Sequence, residues 1–324
     1  MVEGGDLVAA GLAAGARPQA VFVRADSAAH AAVQTDPAFA GLPVFPVSDA
    51  VAAHMTSLET PPDMLAVFPQ LQPAPLAQLA DVAALEGHEA FAGYVALTDE
   101  AAALAGNLLV VYADHLADPG NLGTLIRAAA AFGAAALVTS PASADMLSPK
   151  VVRASMGAVF ALPLYADLEL SEVVAELSGA GAQNGASESN GARAQNGTRT
   201  SSKPNAPNGP RVYGLAAHGG QRIDEATLTR PALLCVGAER AGLSPQVRAM
   251  LDEVLTIPLA GSAAVGVGGE GEEAAGVESL SVGVESLNAG VAGAIALYEF
   301  SRQRAAGAKA AHEPVSTSIR STDG

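Results

Sequence analysis

Three stretches of this sequence combine residue types and spacing that can do chemistry. The first runs from Asp118 to Gly133, follows an apolar strand-like run and opens an Ala-rich helical one. Pro119 and Gly120 make the turn, and Asn121 is placed to cap the helix. Arg127 falls mid-helix among apolar neighbours. Burying a guanidinium is costly unless it meets an anion or lines a cleft, and phosphate oxygens match its fork. The alternative is an Arg that reaches water along its own stem; this stretch alone leaves both open.

The second stretch, Val236 to Ser244, is a strand that ends in a Gly-rich turn holding the Glu239 carboxylate between Gly237 and Gly242. The carboxyl end of a parallel strand is where ligands sit in open α/β sheets; a plain surface turn has the same composition. The third begins at Ile257-Pro258-Leu259 and resumes at Ser286-Leu287-Asn288 before a helix rich in small residues (Gly290, Ala292, Gly293, Ala294). Small side chains let that helix pack closely, and Ser286 or Asn288 caps it or touches a ligand.

Other chemistries lack their residues. Cys235 is the only cysteine, so no internal disulfide forms, and it sits in an apolar strand-like run as a buried small hydrophobe. The 6 histidines are scattered, with no helical metal pair, so no metal site is expected. Gly266 to Gly271 matches G-x-G-x-x-G, but a Gly- and Glu-rich run follows where a dinucleotide site needs a helix. Neither a P-loop nor a G-x-S-x-G elbow occurs.

The elements that must position these residues follow from periodicity. Residues 1–70 form a small α/β pattern: a helix over Leu7–Ala14, strands at Ala20–Val23 and Leu42–Val47, a helix capped by Ser48, and a strand at Leu65–Phe68. Residues 71–105, rich in Ala, Pro and Leu, read as a linker. From 106 to 308 strands and helices alternate: strands at Leu108–Tyr112, Ala135–Thr139, Val159–Leu164, Val212–Ala216, Ala232–Val236 and Val254–Ile257, helices at Leu122–Phe132 and Leu287–Arg304. Alternation implies a largely parallel sheet with helices on both faces. Two inserts break it. Residues 178–210 are Gly, Asn, Ser and Ala with four Asn-Gly pairs, and 260–285 are Gly-, Ala- and Glu-rich; both read as disordered, as does the tail 309–324.

The acidic Met1–Asp6 segment is unlike a secretory signal, and the apolar run Ala289–Leu297 is far shorter than the roughly 20 residues a bilayer needs. A cytoplasmic protein without membrane contact is expected. The net charge of −16 argues against nucleic acid when taken alone. Several of those acids (Glu270, Glu272, Glu273, Glu278) lie in the second insert, however, and a local basic patch can persist within an acidic chain.

In order, the three stretches resemble motifs 1, 2 and 3 of the SpoU RNA methyltransferases of the SPOUT class: D-P-x-N-x-G-x-x-x-R-x-A-x-x-F-G, G-x-E-x-x-G-L-S, and I-P followed by S-L-N. Ser148–Ala158 is also family-like, as is the closing Tyr298-Glu299…Arg302-Gln303-Arg304. Val2–Gly4 and Glu59–Val67 resemble the small RNA-binding domain, similar to ribosomal protein L30e, that precedes many such catalytic domains.

The resemblance implies an α/β catalytic domain whose C-terminal part threads a trefoil knot, an exception to unknotted chains. It implies a homodimer that transfers the methyl group of S-adenosylmethionine to a ribose 2′-hydroxyl, with ribosomal RNA expected before transfer RNA. The matching catalytic positions are Asn121, Arg127, Glu239, Ser286 and Asn288; the cofactor positions are Gly237, Glu239, Gly242, Ile257, Leu259, Ser286 and Leu287; Arg127, Lys150 and Arg153 are the cations for RNA. The family's usual base is the motif 1 Arg. An Arg stays protonated, so Arg127 is read here as orienting the ribose-phosphate and favouring the developing alkoxide. The chain departs from the pattern where a long insert separates Ile257 from Ser286, and a tandem copy offers a second register at Ser279-Leu280-Ser281. The register with Asn288 is chosen because it leads into the helix. A catalytically inactive RNA-binding protein of the same fold is the alternative, and a Rossmann-type oxidoreductase a third.

Overall fold

The computed structural model describes residues 1–56, 58–79, 108–184, 209–259 and 286–312. Most of the expected linker, most of both inserts, Gly266–Gly271, the register at Ser279 and the end of the tail lie outside the described residues.

The chain opens with β1 (Val2–Glu3), α1 (Gly5–Ala13), β2 (Ala20–Arg24), α2 (Ala28–Thr35), β3 (Val44–Val47), α3 (Asp49–Met55) and β4 (Met64–Val67). They form a four-stranded mixed sheet of order β1-β4-β2-β3. Val21 and Val23 alternate into the core, as period-2 patterning requires. Ser27 and Ser48 cap α2 and α3, accepting from the backbone N–H of His30 and Val51. Each cap contributes about 1 kcal/mol.

The second unit contains β5 (Leu109–Asp114), α4 (Pro119–Ala131), β6 (Ala136–Thr139), α5 (Pro149–Ala154), β7 (Leu164–Tyr165), α6 (Leu170–Asn184), β8 (Arg211–Leu215), β9 (Gln221–Arg222), β10 (Ala232–Gly237), α7 (Pro245–Arg248), β11 (Glu253–Thr256) and α8 (Ala289–His312). Its seven-stranded sheet has the order β7-β6-β5-β10-β8-β11-β9. Every pairing in it is parallel. Both faces are covered, which is why central strands are apolar throughout. Leu109, Val111 and Ala113 pack with Leu122, Leu125 and Ile126 of α4 and Leu297 and Phe300 of α8. Val110 and Tyr112 point the other way, toward Val173, Val174 and Leu177 of α6 and Val247 of α7.

Several expectations change. The strand read at Val159–Leu164 is a 3-10 turn at Ala158–Phe160 followed by β7. Met156 and Gly157 both have left-handed backbone, which breaks extension, and Pro163 has no N–H to give the ladder. Helix α6 continues to Asn184, into the segment read as a loop from 178, and α8 runs past 309. Leu170, Val173, Val174 and Leu177 recur at helical spacing, a signal that the Gly/Asn composition beyond it masked. β9 is too short and polar to announce itself.

The two units meet at a small buried seam. Phe68 packs on Phe160 with ring centroids 5.0 Å apart. Arg153 of α5 donates to the Glu3 carboxylate at 2.8 Å, and Thr56 donates to its other oxygen at 3.1 Å.

Candidate active site

The first stretch leaves β5 and turns into α4. Asp118, not Asn121, caps that helix: its Oδ1 accepts the Asn121 backbone N–H at 2.8 Å. The cap reading of Asn121 is therefore corrected, with Pro119 one residue inside the helix, where its missing N–H costs nothing. The correction frees the Asn121 side chain. It is buried, and its Oδ1 accepts from Asn288 Nδ2 at 2.6 Å. Asn288 in turn starts α8, its Oδ1 accepting the Val291 N–H at 3.2 Å. The same Asn288 Nδ2 lies 3.4 Å from Glu239 Oε1. One amide thus joins all three stretches.

Helix packing brings these groups together. Gly293 of α8 lies against Leu125 of α4, where an added Cβ would collide. Gly290 approaches the Asn121 carbonyl, leaving 3.0 Å for a Cβ. The small residues noted in the third stretch hold α8 close to α4.

The second stretch turns tightly after β10. Ala238 and Gly242 exchange backbone hydrogen bonds at 3.1 and 2.8 Å. Gly242 has a left-handed φ of 66°, and a Cβ on Gly237 would strike the Gly242 backbone. This turn projects Glu239 beside a cavity of about 500 Å³. Gly237, Glu239, Gly242, Ile257, Leu259, Ser286 and Leu287 all line it. Arg240 and Arg248 also line it, as do Leu215, His218 and Gly219. Sequence reasoning missed these last three, although His218-Gly219-Gly220 is also a Gly-rich turn just past a parallel strand, the signal that singled out the second stretch.

The three cations expected for RNA lie elsewhere. Arg127 is exposed on α4, about 9 Å along the axis from Asn121 at 1.5 Å per residue. It is not buried, and among the described residues it makes no ion pair or hydrogen bond. Lys150 is exposed on α5. Arg153 is held by Glu3, with side chains 29% and 5% exposed. The structure therefore brings Asn121, Glu239 and Asn288 together beside the cavity, which Glu239 lines, and leaves Arg127, Lys150 and Arg153 outside it. Cys235 is fully buried, and burial, reinforced by Asp114, pushes its thiol up, as suits an inert core residue. Among the described residues, no cluster of His, Cys, Asp and Glu could hold a metal, and no helix is long and apolar enough to cross a membrane.

Known proteins resemble this chain in sequence and in fold. Residues 108–206 match the SpoU rRNA Methylase family. The chain is 32% identical over 157 residues to a 23S rRNA (uridine(2479)-2′-O)-methyltransferase of Streptomyces viridochromogenes, covering 48% of this chain and 47% of that protein. It is 30% identical over 169 residues to the 23S rRNA (guanosine-2′-O-)-methyltransferase RlmB of Nitrosomonas europaea, covering 52% and 54%. The chain spans about half the length of the curated relatives it matches. Its fold is shared with the SpoU methyltransferase AviRb of S. viridochromogenes, a structure solved in complex with AdoMet: TM-score 0.60, 23% identity, 94% of this chain and 89% of that one.

Proposed function

We propose that this chain, which belongs through residues 108–206 to the SpoU rRNA methylase family, is an S-adenosylmethionine-dependent RNA methyltransferase acting on a ribose 2′-hydroxyl of ribosomal RNA. The observation that carries the reading is the meeting of Asn121, Glu239 and Asn288 at the cavity. That meeting also counts against an inactive RNA-binding protein, because it holds Asn121, Glu239 and Asn288 together.

The cavity fits the cofactor by size and chemistry. Its volume of about 500 Å³ suits a ligand of that size. Glycine backbone, Ile257, Leu259 and Leu287 offer amides and apolar wall, and the Glu239 carboxylate suits a cationic group. When bound, S-adenosylmethionine supplies an electrophilic methyl on a sulfonium. The chain's own residues do the rest. Asn288 locks Glu239 and Asn121 in one geometry, and pre-organised polar groups favour charge that develops in the transition state. Arg127, exposed and unengaged, orients the ribose-phosphate and favours the alkoxide; Lys150 adds a phosphate contact. Arg153, committed to Glu3, is the weakest of the three RNA cations.

The threaded knot belongs to this reading. β10 and β11 flank β8, and α8, the next described element after β11, starts beside Asn121. A homodimer is supported by an apolar stripe on α8: Val291, Ile295 and Tyr298 are exposed at helical spacing. Residues 1–70 are proposed as the L30e-like substrate domain, 106–308 as the catalytic domain. A ribosomal RNA substrate would place the protein in the cytoplasm.

Calorimetry with S-adenosylmethionine on the wild type and Glu239→Ala tests the reading. One site per chain, weakened at least tenfold in the variant, is expected for a carboxylate beside a cation. No binding by the wild-type chain would sink it.

A further inference from the structure

The loop between β5 and α4 holds a histidine that the three stretches do not use. His115 directly follows Asp114, which ends the central strand beside Gly237 of the cavity wall. Its φ is 52°, a left-handed conformation few non-glycine residues occupy. Three bonds hold it there. Its backbone N–H donates to Ser140 Oγ at 2.8 Å, its carbonyl accepts from Ala117 N–H at 2.9 Å, and its ring Nδ1 lies 2.7 Å from Asp114 Oδ1. The Asp114 side chain is 1% exposed, while that of His115 is 52% exposed.

Asp114 has a second duty. Its Oδ2 accepts the backbone N–H of Ser244 at 2.6 Å, at the end of the Gly237–Ser244 turn. One buried carboxylate therefore holds the turn that walls the cavity and the exposed imidazole. A carboxylate only accepts, so Nδ1 carries the proton, and in the neutral ring Nε2 is then an acceptor on a half-exposed side chain. The acceptor stands at the carboxyl end of the sheet, at the start of the loop leading to Asn121.

We propose that His115 contacts the substrate: Nε2 accepts a ribose 2′-hydroxyl of the RNA strand laid across this edge. The 2′-hydroxyl is the donor that separates RNA from DNA. The proposal rests on the methyltransferase reading. A purely structural duty, satisfying Asp114, would need only a donor on a residue that tolerates left-handed backbone. Asn meets both needs, so His115→Asn separates the two roles.

The test compares wild type, His115→Asn and His115→Gln in melting, S-adenosylmethionine calorimetry and methyl transfer to unmodified ribosomal RNA from a deletion strain. His115→Asn is expected to melt and bind S-adenosylmethionine as wild type does, yet lose about tenfold or more in kcat/KM for RNA. His115→Gln, whose amide oxygen reaches toward the Nε2 position, is expected to recover part of that loss. Wild-type transfer by His115→Asn would overturn the proposal, and so would a loss confined to melting or cofactor affinity. Failure of the wild type to bind S-adenosylmethionine would remove the methyltransferase reading itself, and this inference with it.

Discussion

The two units of this protein differ in where their polar groups gather. In residues 1–79 the basic side chains are Arg17 and Arg24, against Glu3, Asp6, Asp26, Asp36, Asp49, Glu59 and Asp63. Arg24 is committed to Asp49 and Asp63 at 2.8 and 2.9 Å, and Glu3 to Thr56 and Arg153. In the large unit, polar groups also collect beside a cavity, Glu239 lining it and Asn121 and Asn288 hydrogen-bonded behind it, with Arg127 and Lys150 in solvent. The small unit's ion pairs hold it together and dock it; the large unit has structural ion pairs too (Arg211–Glu253, Arg222–Asp224, Arg302–Glu299), but it also gathers polar groups beside a cavity. If the small unit meets RNA, it does so with few cations, by shape and by exposed surface such as Phe45, which stacks on Phe22 with centroids 5.6 Å apart.

The largest expected effect lies where the three stretches meet. Asn288→Ala removes the α8 cap and both side-chain bridges, and is expected to lower methyl transfer by about a hundredfold or more. The cap alone accounts for about 1 kcal/mol of stability. Activity assay and thermal melting on the same variant separate the two. An active Asn288→Ala enzyme would mean that the bridge only holds α8 in place.

Next come two arginines whose surroundings differ. Arg153→Ala leaves the Glu3 carboxylate buried with one partner, and removing one member of a buried pair costs about 3 kcal/mol. Its melting temperature should fall while S-adenosylmethionine affinity holds. Arg127→Ala breaks no contact among the described residues, so its melting should match wild type while RNA methylation falls by about tenfold or more. Interchanged results would reverse the contrast between the units.

Much of this was legible because the relevant patterns are local. Apolar strands bounded by Gly-rich turns announce a parallel sheet, and small residues at Gly290 and Gly293 announce a tight helix pair. The fold class follows from those; that Asn121, Glu239 and Asn288 belong to one site was implied only by the resemblance of the three stretches to the SpoU motifs. The partner of each side chain was not legible. Asp118 and Asn121 both suit a helix cap, and only the backbone decides that Asp118 takes it. Arg127 and Arg153 look alike in sequence. The difference between them is set by Glu3, far away in the chain, and pairing at such separation leaves no periodic trace. His218 and Gly219 were missed because nothing local tells which strand ends border one cavity.

A smaller effect concerns salt. Removing one cation that grips a phosphate should flatten the dependence of RNA affinity on salt by about one unit of log–log slope. Lys150→Ala should do so. Arg24→Ala should leave the slope unchanged, because its guanidinium is held by two carboxylates. A change of slope in Arg24→Ala would assign the small unit an electrostatic grip on RNA.

The smallest effect is a difference in acid sensitivity. Each unit has a carboxylate held below its ordinary value by a hydrogen-bonded arginine: Asp49 by Arg24, and Glu299 by Arg302. A depressed folded-state pKa contributes stability above the unfolded value of about 4, and that stability is lost as the pH falls through the folded value. Asp49 is exposed, so solvent screens its pair and little stability depends on it. Glu299 is buried, and it also accepts from Gln303, which donates to the Ala226 carbonyl and accepts the Leu228 N–H. Protonating Glu299 therefore loosens the seat of α8 against the β9–β10 connection, and α8 begins at Asn288. Melting followed from pH 6 to pH 3 should show a shallower decline in Glu299→Gln than in wild type, and the wild-type decline in Asp49→Asn. Equal flattening by both substitutions would mean that the exposed Asp49 pair contributes as much as the buried Glu299 cluster, and burial would then not separate the two units' ion pairs.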